Sequence, residues 1–264
     1  MTNQHTARST REKAAQLRAE AARVEARRRT TIVTVLVAVV VAALVGGVAL
    51  VRSLSHQRAV AAASSPSGVP HNLLADGGIA SDLSISPAAG AKRVRVDLYE
   101  DFQCPVCRAF EAANGQTLKS WQKAGTIWVV YHPVAFLDRA STTNYSSRAA
   151  NAAAAVVDTA PSSFQGFHDL LYANQPAEGS AGLTNQQLID YAVQAGAPRA
   201  AVTTMVQGDT YSAWVVQQTD VFSQKFTGTP TIVIDGTQLQ GLDRASLTAA
   251  LTQAAHAKGL RPPA

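Results

Sequence analysis

The stretch YEDFQCPVCRAF, residues 99–110, contains both cysteines of this 264-residue chain. Cys104 and Cys107 are separated by two residues, and Pro105 directly follows the first of them. A C-x-x-C spacing suits a redox couple, half of a zinc site or a short structural staple. The sequence on either side is needed to choose among these three.

The residues around the two cysteines predict a strand followed by a helix. Residues 93–101 (RVRVDLYED) begin with alternating polar and apolar side chains, as a β-strand does. Pro105 suits the first turn of a helix, where its missing N–H needs no partner. Apolar residues then recur at near-helical spacing, Gly125 predicts the helix end, and residues 126–131 (TIWVVY) predict a buried second strand. We therefore expect the cysteines at a strand-to-helix junction inside a βαβ unit.

The rest of the C-terminal part predicts more helices and a final pair of strands. Helical patterns fill a block at about residues 140–226. A strand follows at 231–235, then a turn at Asp235-Gly236, a short strand, and a last helix that begins after Asp243. The order is β-α-β, a helical block, and β-β-α.

The positive charge of the chain is confined to its N-terminus. Residues 1–30 hold eight basic and three acidic side chains, which accounts for the whole net charge of +5. The neutral remainder lacks the basic surface that nucleic-acid binding requires. Residues 31–51 are 21 uncharged, mostly apolar residues, and as a helix they span roughly 30 Å, the thickness of a bilayer core.

These N-terminal features predict a single-pass membrane protein. Residues 1–30 are expected to form a cytoplasmic tail because positive flanks stay inside, and residues 31–51 a transmembrane signal-anchor. A cleaved signal peptide is disfavoured because its apolar core is shorter, about 7–15 residues. Residues 52–90, rich in Ala, Ser, Gly and Pro, are expected to be a flexible linker, with residues 91–264 as an extracytoplasmic domain. Whether residues 77–83 form a strand is left undecided.

Chemical arguments favour a redox role for the cysteine pair. A zinc site needs four ligands, but the chain has no further cysteine and its six histidines show no paired spacing, so no metal is expected. A staple that closes four residues restricts the unfolded chain little. At a helix N-cap, Cys104 would meet unpaired N–H groups and the positive end of the helix dipole, which favours its thiolate. Cys107, one turn later, is placed to resolve a mixed disulfide.

Three features together resemble the DsbA-like thioredoxin-fold family, in particular its membrane-anchored actinobacterial thiol-disulfide oxidoreductases. They are YEDFQCPVC, the helical block, and GTPTIVIDG at residues 228–236. The resemblance covers roughly residues 91–258. It implies an α/β, thioredoxin-like fold split by a helical insertion and preceded by one transmembrane helix. It also implies that Cys104 is the nucleophile and Cys107 the resolving cysteine. A cis peptide bond is implied before Pro230, with Thr229 facing the substrate.

The function expected from this resemblance is the introduction of disulfides into exported proteins. No cofactor is needed, because both electrons reside on the two sulfurs. Reoxidation requires an electron acceptor, for which a quinone-linked membrane oxidoreductase is the expected partner. Two alternatives stay open. One is an extracytoplasmic disulfide reductase, for example in cytochrome maturation, since direction depends on reduction potential. The other is a tethered binding module with an inert disulfide.

The sequence also departs from the family pattern at the site. Val106 replaces the histidine that stands between the cysteines of the well-known disulfide donor, and Leu98 stands where many relatives carry a buried acid. Glu100, on the apolar face of the strand, is either a displaced proton-transfer group or, as we expect, a partly solvated strand-end acid. Asp101 is expected to cap or anchor the loop. Two histidines are expected to be ordinary structural residues: His132 and His168.

Overall fold

The computed structural model describes residues 68–81 and 92–263 of the chain. The predicted cytoplasmic tail (1–30) and signal-anchor helix (31–51) lie outside these residues. Within them, no helix combines the length and the apolar character needed to cross a membrane.

A five-stranded mixed sheet forms the centre of the described domain. Its spatial order is β1-β3-β2-β4-β5; β2 and β3 run parallel and every other neighbouring pair is antiparallel. The strands are β1 (Ile79–Ala80), β2 (Val94–Glu100), β3 (Ile127–Pro133), β4 (Thr231–Ile234) and β5 (Thr237–Gln238).

The helices confirm the predicted order of elements. One helix, α1, connects the parallel strands β2 and β3; five helices form the insertion between β3 and β4, and one helix follows β5. Their bounds are α1 (Pro105–Lys123), α2 (Tyr145–Thr159), α3 (Phe164–Ala173), α4 (Asn185–Gln194), α5 (Arg199–Gln207), α6 (Ser212–Ser223) and α7 (Arg244–Ala257).

The central position of β2 explains its apolar composition. Val94, Val96 and Leu98 are fully buried on one face of β2, and α7 packs against this strand. The opposite face is covered as well, so Asp97 is only 8% exposed and is bonded to His132 of the neighbouring strand. Because β2 is held on both sides, the residues at its C-terminal end have a fixed position.

Helix α2 is the centre of the insertion. Eleven of its fifteen residues are buried, most of them alanines. Small side chains let neighbouring helices approach closely, and α2 packs against α3, α4, α5 and α6. The insertion therefore forms a packed helical unit over the end of the sheet that carries the cysteines.

The predicted flexible linker (52–90) is wrong for residues 68–81, which pack on the domain. Ile79 is 2% exposed, and β1 pairs with the edge strand β3, which settles the strand left undecided by the sequence. Further upstream, the backbone N–H and ring of His71 each bond to Asp158 at 2.7 Å. The Gly- and Ser-rich composition of the segment obscured a few well-buried apolar side chains.

Candidate active site

The two cysteines lie where β2 leads into α1. Cys104 is the N-cap residue of α1, with extended backbone angles (φ −72°, ψ 117°), and Pro105 occupies the first helical position. Cys107 is one turn further along the helix. Both are free thiols and both are buried, Cys104 at 4% and Cys107 at 0% exposure. This is the strand-to-helix junction that the sequence predicted.

The loop before β4 faces the first cysteine. The Thr229–Pro230 peptide bond is cis, as expected. The thiol of Cys104 donates a hydrogen bond to the carbonyl oxygen of Thr229 at 3.2 Å. The hydroxyl oxygen of Thr229 is buried and has no hydrogen-bond partner among the residues that the structure describes. The fold thus brings the predicted site residues Thr229 and Pro230 to Cys104 and Cys107, although Cys104 and Thr229 are 125 residues apart in the sequence.

The surroundings of Cys104 favour its thiolate. A hydrogen bond from the thiol of Cys107 is the main factor that lowers the pKa of Cys104, to about 6, although burial acts in the opposite direction. The side chain of Thr229 and the backbone N–H groups of Val106 and Cys107 add to the lowering. The side chain of Val106 points outward and is 50% exposed. Val106 therefore contributes through its backbone only.

The surroundings of Cys107 favour its thiol. Burial raises the pKa of Cys107 well above its ordinary value, and its hydrogen bond to Cys104 and the negative charge of Glu100 raise it further. The two sulfurs are thus unequal: Cys104 is suited to be a nucleophile and a leaving group, and Cys107 holds its proton.

Glu100 is fully buried, contrary to the expectation of a partly solvated acid. It is 2% exposed, and its Oε2 accepts a hydrogen bond from Nε2 of His168 at 2.8 Å. The expectation was wrong because α3 of the insertion, which carries His168, covers the end of β2. Although burial opposes it, the negative charge of Glu100 raises the pKa of His168 to about 10. His168 is therefore the cationic partner of an acid beside Cys107.

A second carboxyl group, that of Glu111, lies near Glu100 and His168, and it was not predicted from the sequence. Glu111 follows Cys107 by four residues on α1, and ligand atoms of Glu100, Glu111 and His168 all lie within 4.8 Å of one another. Burial, together with the charge of Glu100, raises the pKa of Glu111 to about 8, so that it holds a proton at neutral pH. The i, i+4 spacing from Cys107 on a predicted helix was the available signal.

Asp101 anchors the loop between β2 and Cys104. It is fully buried and accepts hydrogen bonds from the hydroxyl of Ser146 (2.7 Å) and the backbone N–H groups of Gln103 (2.8 Å) and Leu137 (2.7 Å). Burial nevertheless raises the pKa of Asp101 to about 7. One side chain thus joins the active-site loop, α2 and the segment after β3.

Two groups within residues 68–81 and 92–263 bring three possible metal ligands within 4.8 Å: Asp76–Asp97–His132 and Glu100–Glu111–His168. In each group, Nε2 of the histidine already lies 2.8 Å from a carboxylate oxygen. His132 is also stacked on Tyr99, with ring centroids 4.4 Å apart. These contacts give both histidines a partner inside the protein.

Comparisons with known proteins agree with this geometry. A protein-family model described as thioredoxin matches residues 88–253. Oxidised DsbA of Mycobacterium tuberculosis is 32% identical, with a TM-score of 0.57 over 64% of this chain and 87% of that one. The reduced disulfide bond oxidoreductase DsbG of the same organism is 29% identical, with a TM-score of 0.56 over 71% and 85%.

A more distant structure shares the fold. The thiol-disulfide oxidoreductase MdbA of Actinomyces oris is 22% identical and has a TM-score of 0.59 over 72% of this chain and 94% of that one. No curated protein matches the sequence significantly.

Proposed function

Since the chain belongs to the thioredoxin family and is a DsbA-type thiol-disulfide oxidoreductase, we propose that it introduces disulfide bonds into exported proteins. Cys104 and Cys107 are the redox couple, with Cys104 as the nucleophile. The main support is the inequality of the two thiols. The lowered pKa of Cys104 means that its surroundings stabilise the thiolate, which exists only in the reduced enzyme. An enzyme whose reduced form is stabilised is an oxidant.

The catalytic cycle follows from this inequality. A substrate thiolate attacks Sγ of Cys104, the Cys104–Cys107 bond breaks, and Cys107 leaves with the electron pair. A second substrate thiolate then attacks the substrate sulfur of the mixed disulfide, and Cys104 leaves as a thiolate. The substrate has lost two electrons, which now reside on the enzyme's sulfurs. The low pKa of Cys104 makes it a good leaving group in the second step.

The first step also requires a proton at Cys107. Its thiolate would form in a buried place beside the charge of Glu100. A carboxyl oxygen of Glu111 lies within 4.8 Å of one of Glu100, and Glu111 carries a proton at neutral pH. We assign the transfer of this proton to the Glu100–Glu111 pair, and His168 balances the charge that stays behind. Of the two roles considered for Glu100, a proton-transfer group or a partly solvated strand-end acid, we therefore propose the first.

Thr229 is proposed to bind the substrate backbone. Its carbonyl oxygen lies 3.2 Å from Cys104 Sγ, so an extended peptide whose sulfur bonds to Cys104 would pass directly along it. Backbone hydrogen bonds at this place hold a peptide without selecting its side chains. Such a mode suits an enzyme that acts on many exported proteins.

We further propose that residues 31–51 anchor the protein in the membrane, with the domain outside and a quinone-linked membrane oxidoreductase as its oxidant. Protease treatment of spheroplasts should then digest the domain, because all the excess positive charge precedes the apolar run. An epitope placed before residue 31 should survive the same treatment. Protection of the domain together with loss of the epitope would contradict this topology.

The reduction potential tests the direction of the reaction. We expect a value above about −200 mV in equilibrium with glutathione, on the oxidising side for exported proteins. A value near about −270 mV would favour the reductase, and a disulfide that does not equilibrate would favour the inert binding module.

The variant Val106→His should be a stronger oxidant than the wild type. A protonated imidazole beside Cys104 would stabilise its thiolate and hence the reduced form. Because residue 106 is 50% exposed, the attraction is screened to about 1 kcal/mol or less, which corresponds to about 20 mV. Val106→Gln is the neutral control. A His variant with a lower thiol pKa but an unchanged or lower potential would show that the thiolate does not set the potential.

A further inference from the structure

Helix α3 of the insertion runs along the active-site loop and bonds to its successive residues. His168 bonds to the side chain of Glu100 at 2.8 Å, as described above. One turn later, the hydroxyl of Tyr172 donates to the carbonyl oxygen of Asp101 at 3.4 Å. Residues four apart lie on the same face of a helix, so one face of α3 follows the loop toward Cys104.

Gln175 continues this row at the point nearest the nucleophile. It lies just beyond the end of α3, three residues after Tyr172, and is partly buried. Its side-chain nitrogen donates to two carbonyl oxygens, that of Phe102 at 3.1 Å and that of Cys104 itself at 2.9 Å. A single amide therefore binds both ends of the turn that carries Cys104 into α1.

The backbone of Gln175 is tied to the helix end. Its N–H donates to the carbonyl oxygen of Tyr172, and the preceding residue, Asn174, caps α3 with its N–H on Leu170. The side chain thus extends from a fixed place. A donor that is held in position can fix the orientation of the groups that it binds.

We propose that Gln175 is a positioning residue for the thiol chemistry, which holds the Phe102–Cys104 turn so that Cys104 stays in its N-cap conformation. In that conformation the backbone N–H groups of Val106 and Cys107 favour the thiolate of Cys104. The amide also offsets part of the partial negative charge on two carbonyl oxygens, one of them that of Cys104 itself. The inference rests on the proposed role of Cys104 as the nucleophile.

The residue type fits this role. The amide of glutamine presents N–H donors without a net charge. Leucine, of similar size, would leave the two carbonyl oxygens without this donor. Glutamate would place acceptors and a negative charge against them, which opposes a thiolate nearby. The two substitutions therefore differ in charge, and both remove the donor.

The test uses the full chain with Gln175→Glu and Gln175→Leu, and Gln194→Glu as the control. Gln194 is an exposed residue of α4, so the control makes the same chemical change in the same insertion. The readouts are the pH titration of thiolate absorbance in the reduced protein and the equilibrium constant with glutathione. We expect Gln175→Glu to raise the pKa of Cys104 by about one unit and to shift the equilibrium constant at pH 7 about fivefold toward the disulfide form. Gln175→Leu should shift both in the same direction by less, and the control by nothing.

A purely structural role would change thermal stability and leave the titration where it was. If the wild-type protein titrates near pH 6 and both Gln175 variants keep its titration midpoint and equilibrium constant, the inference about Gln175 is overturned. The proposed role of Cys104 would still stand in that case. A wild-type midpoint near 9 would contradict the role of Cys104 as the nucleophile, and the inference would fall with it.

Discussion

Replacing Cys107 by Ala should leave a protein that forms mixed disulfides through Cys104 and does not resolve them, whereas replacing Cys104 by Ala should abolish exchange. The reason is the inequality of the two sulfurs. The pKa of Cys104 is lowered to about 6, and that of Cys107 is raised well above its ordinary value by burial. Only thiolates attack disulfides, so Cys107 alone should react much more slowly than Cys104 at the same pH, because burial disfavours its thiolate whether or not Cys104 is present.

The experiment starts from the two reduced single-cysteine variants. Each is treated with an aromatic disulfide that releases a coloured thiolate, and then with a peptide that carries one cysteine. The Cys107→Ala protein should take up the aromatic group through Cys104 and exchange it for the peptide, giving a covalent complex that mass spectrometry detects. The Cys104→Ala protein should do neither on the same time scale.

The assignment is free of competing sites, because the chain contains only these two cysteines. The wild type is the matched control: with Cys107 present, the complex should break down to free peptide and an intramolecular disulfide. A stable complex in Cys104→Ala, and none in Cys107→Ala, would reverse the assignment of nucleophile and resolving residue.

The sequence predicted the parts of the site that local patterns determine. The alternation in β2, Pro105 and the helical spacing after it placed Cys104 at the start of α1, where the structure has it as the N-cap. The cis peptide before Pro230 came from the family resemblance and is confirmed. The helical block at about 140–226 agrees with α2–α6, which lie between residues 145 and 223.

The sequence did not predict the contacts made by the insertion. His168 meets Glu100 across 68 residues, and Gln175 meets Cys104 across 71. These long-range contacts depend on how five helices pack over the sheet, and no local sequence pattern predicts that packing. A histidine on an apolar helix face was therefore interpreted as ordinary, and a strand-end acid as partly solvated. For the same reason the sequence did not predict that residues 68–81 pack on the domain. They are held there by the pairing of β1 with β3 and by the hydrogen bond from His71 to Asp158 of α2.

The second large effect is on the ionisation of Cys104. With a pKa of about 6, close to 90% of Cys104 is thiolate at pH 7, against about 1% for a thiol with the ordinary value of 9. A lowered pKa in the folded, reduced protein stabilises that form. The stabilisation is complete above pH 9 and is lost as the pH falls through 6. The disulfide form has no thiolate, so it does not share in this effect.

The hydrogen bond from Cys107 is the main cause of the lowering, which gives a graded prediction. Cys107→Ala removes the donor and should move the pKa of Cys104 back toward 9. Cys107→Ser keeps an O–H donor at the same place and should keep the pKa closer to the wild-type value. Equal midpoints in the Ala and Ser variants would show that another group stabilises the thiolate.

The most direct measurement is the thiolate absorbance of the reduced wild-type protein between pH 4 and pH 10, with Cys104→Ala as its control. If Cys104 is the nucleophile of an oxidising enzyme, the wild type should show a transition near pH 6 that is absent from Cys104→Ala. A first transition near pH 9, or a transition near pH 6 that persists without Cys104, would contradict the account.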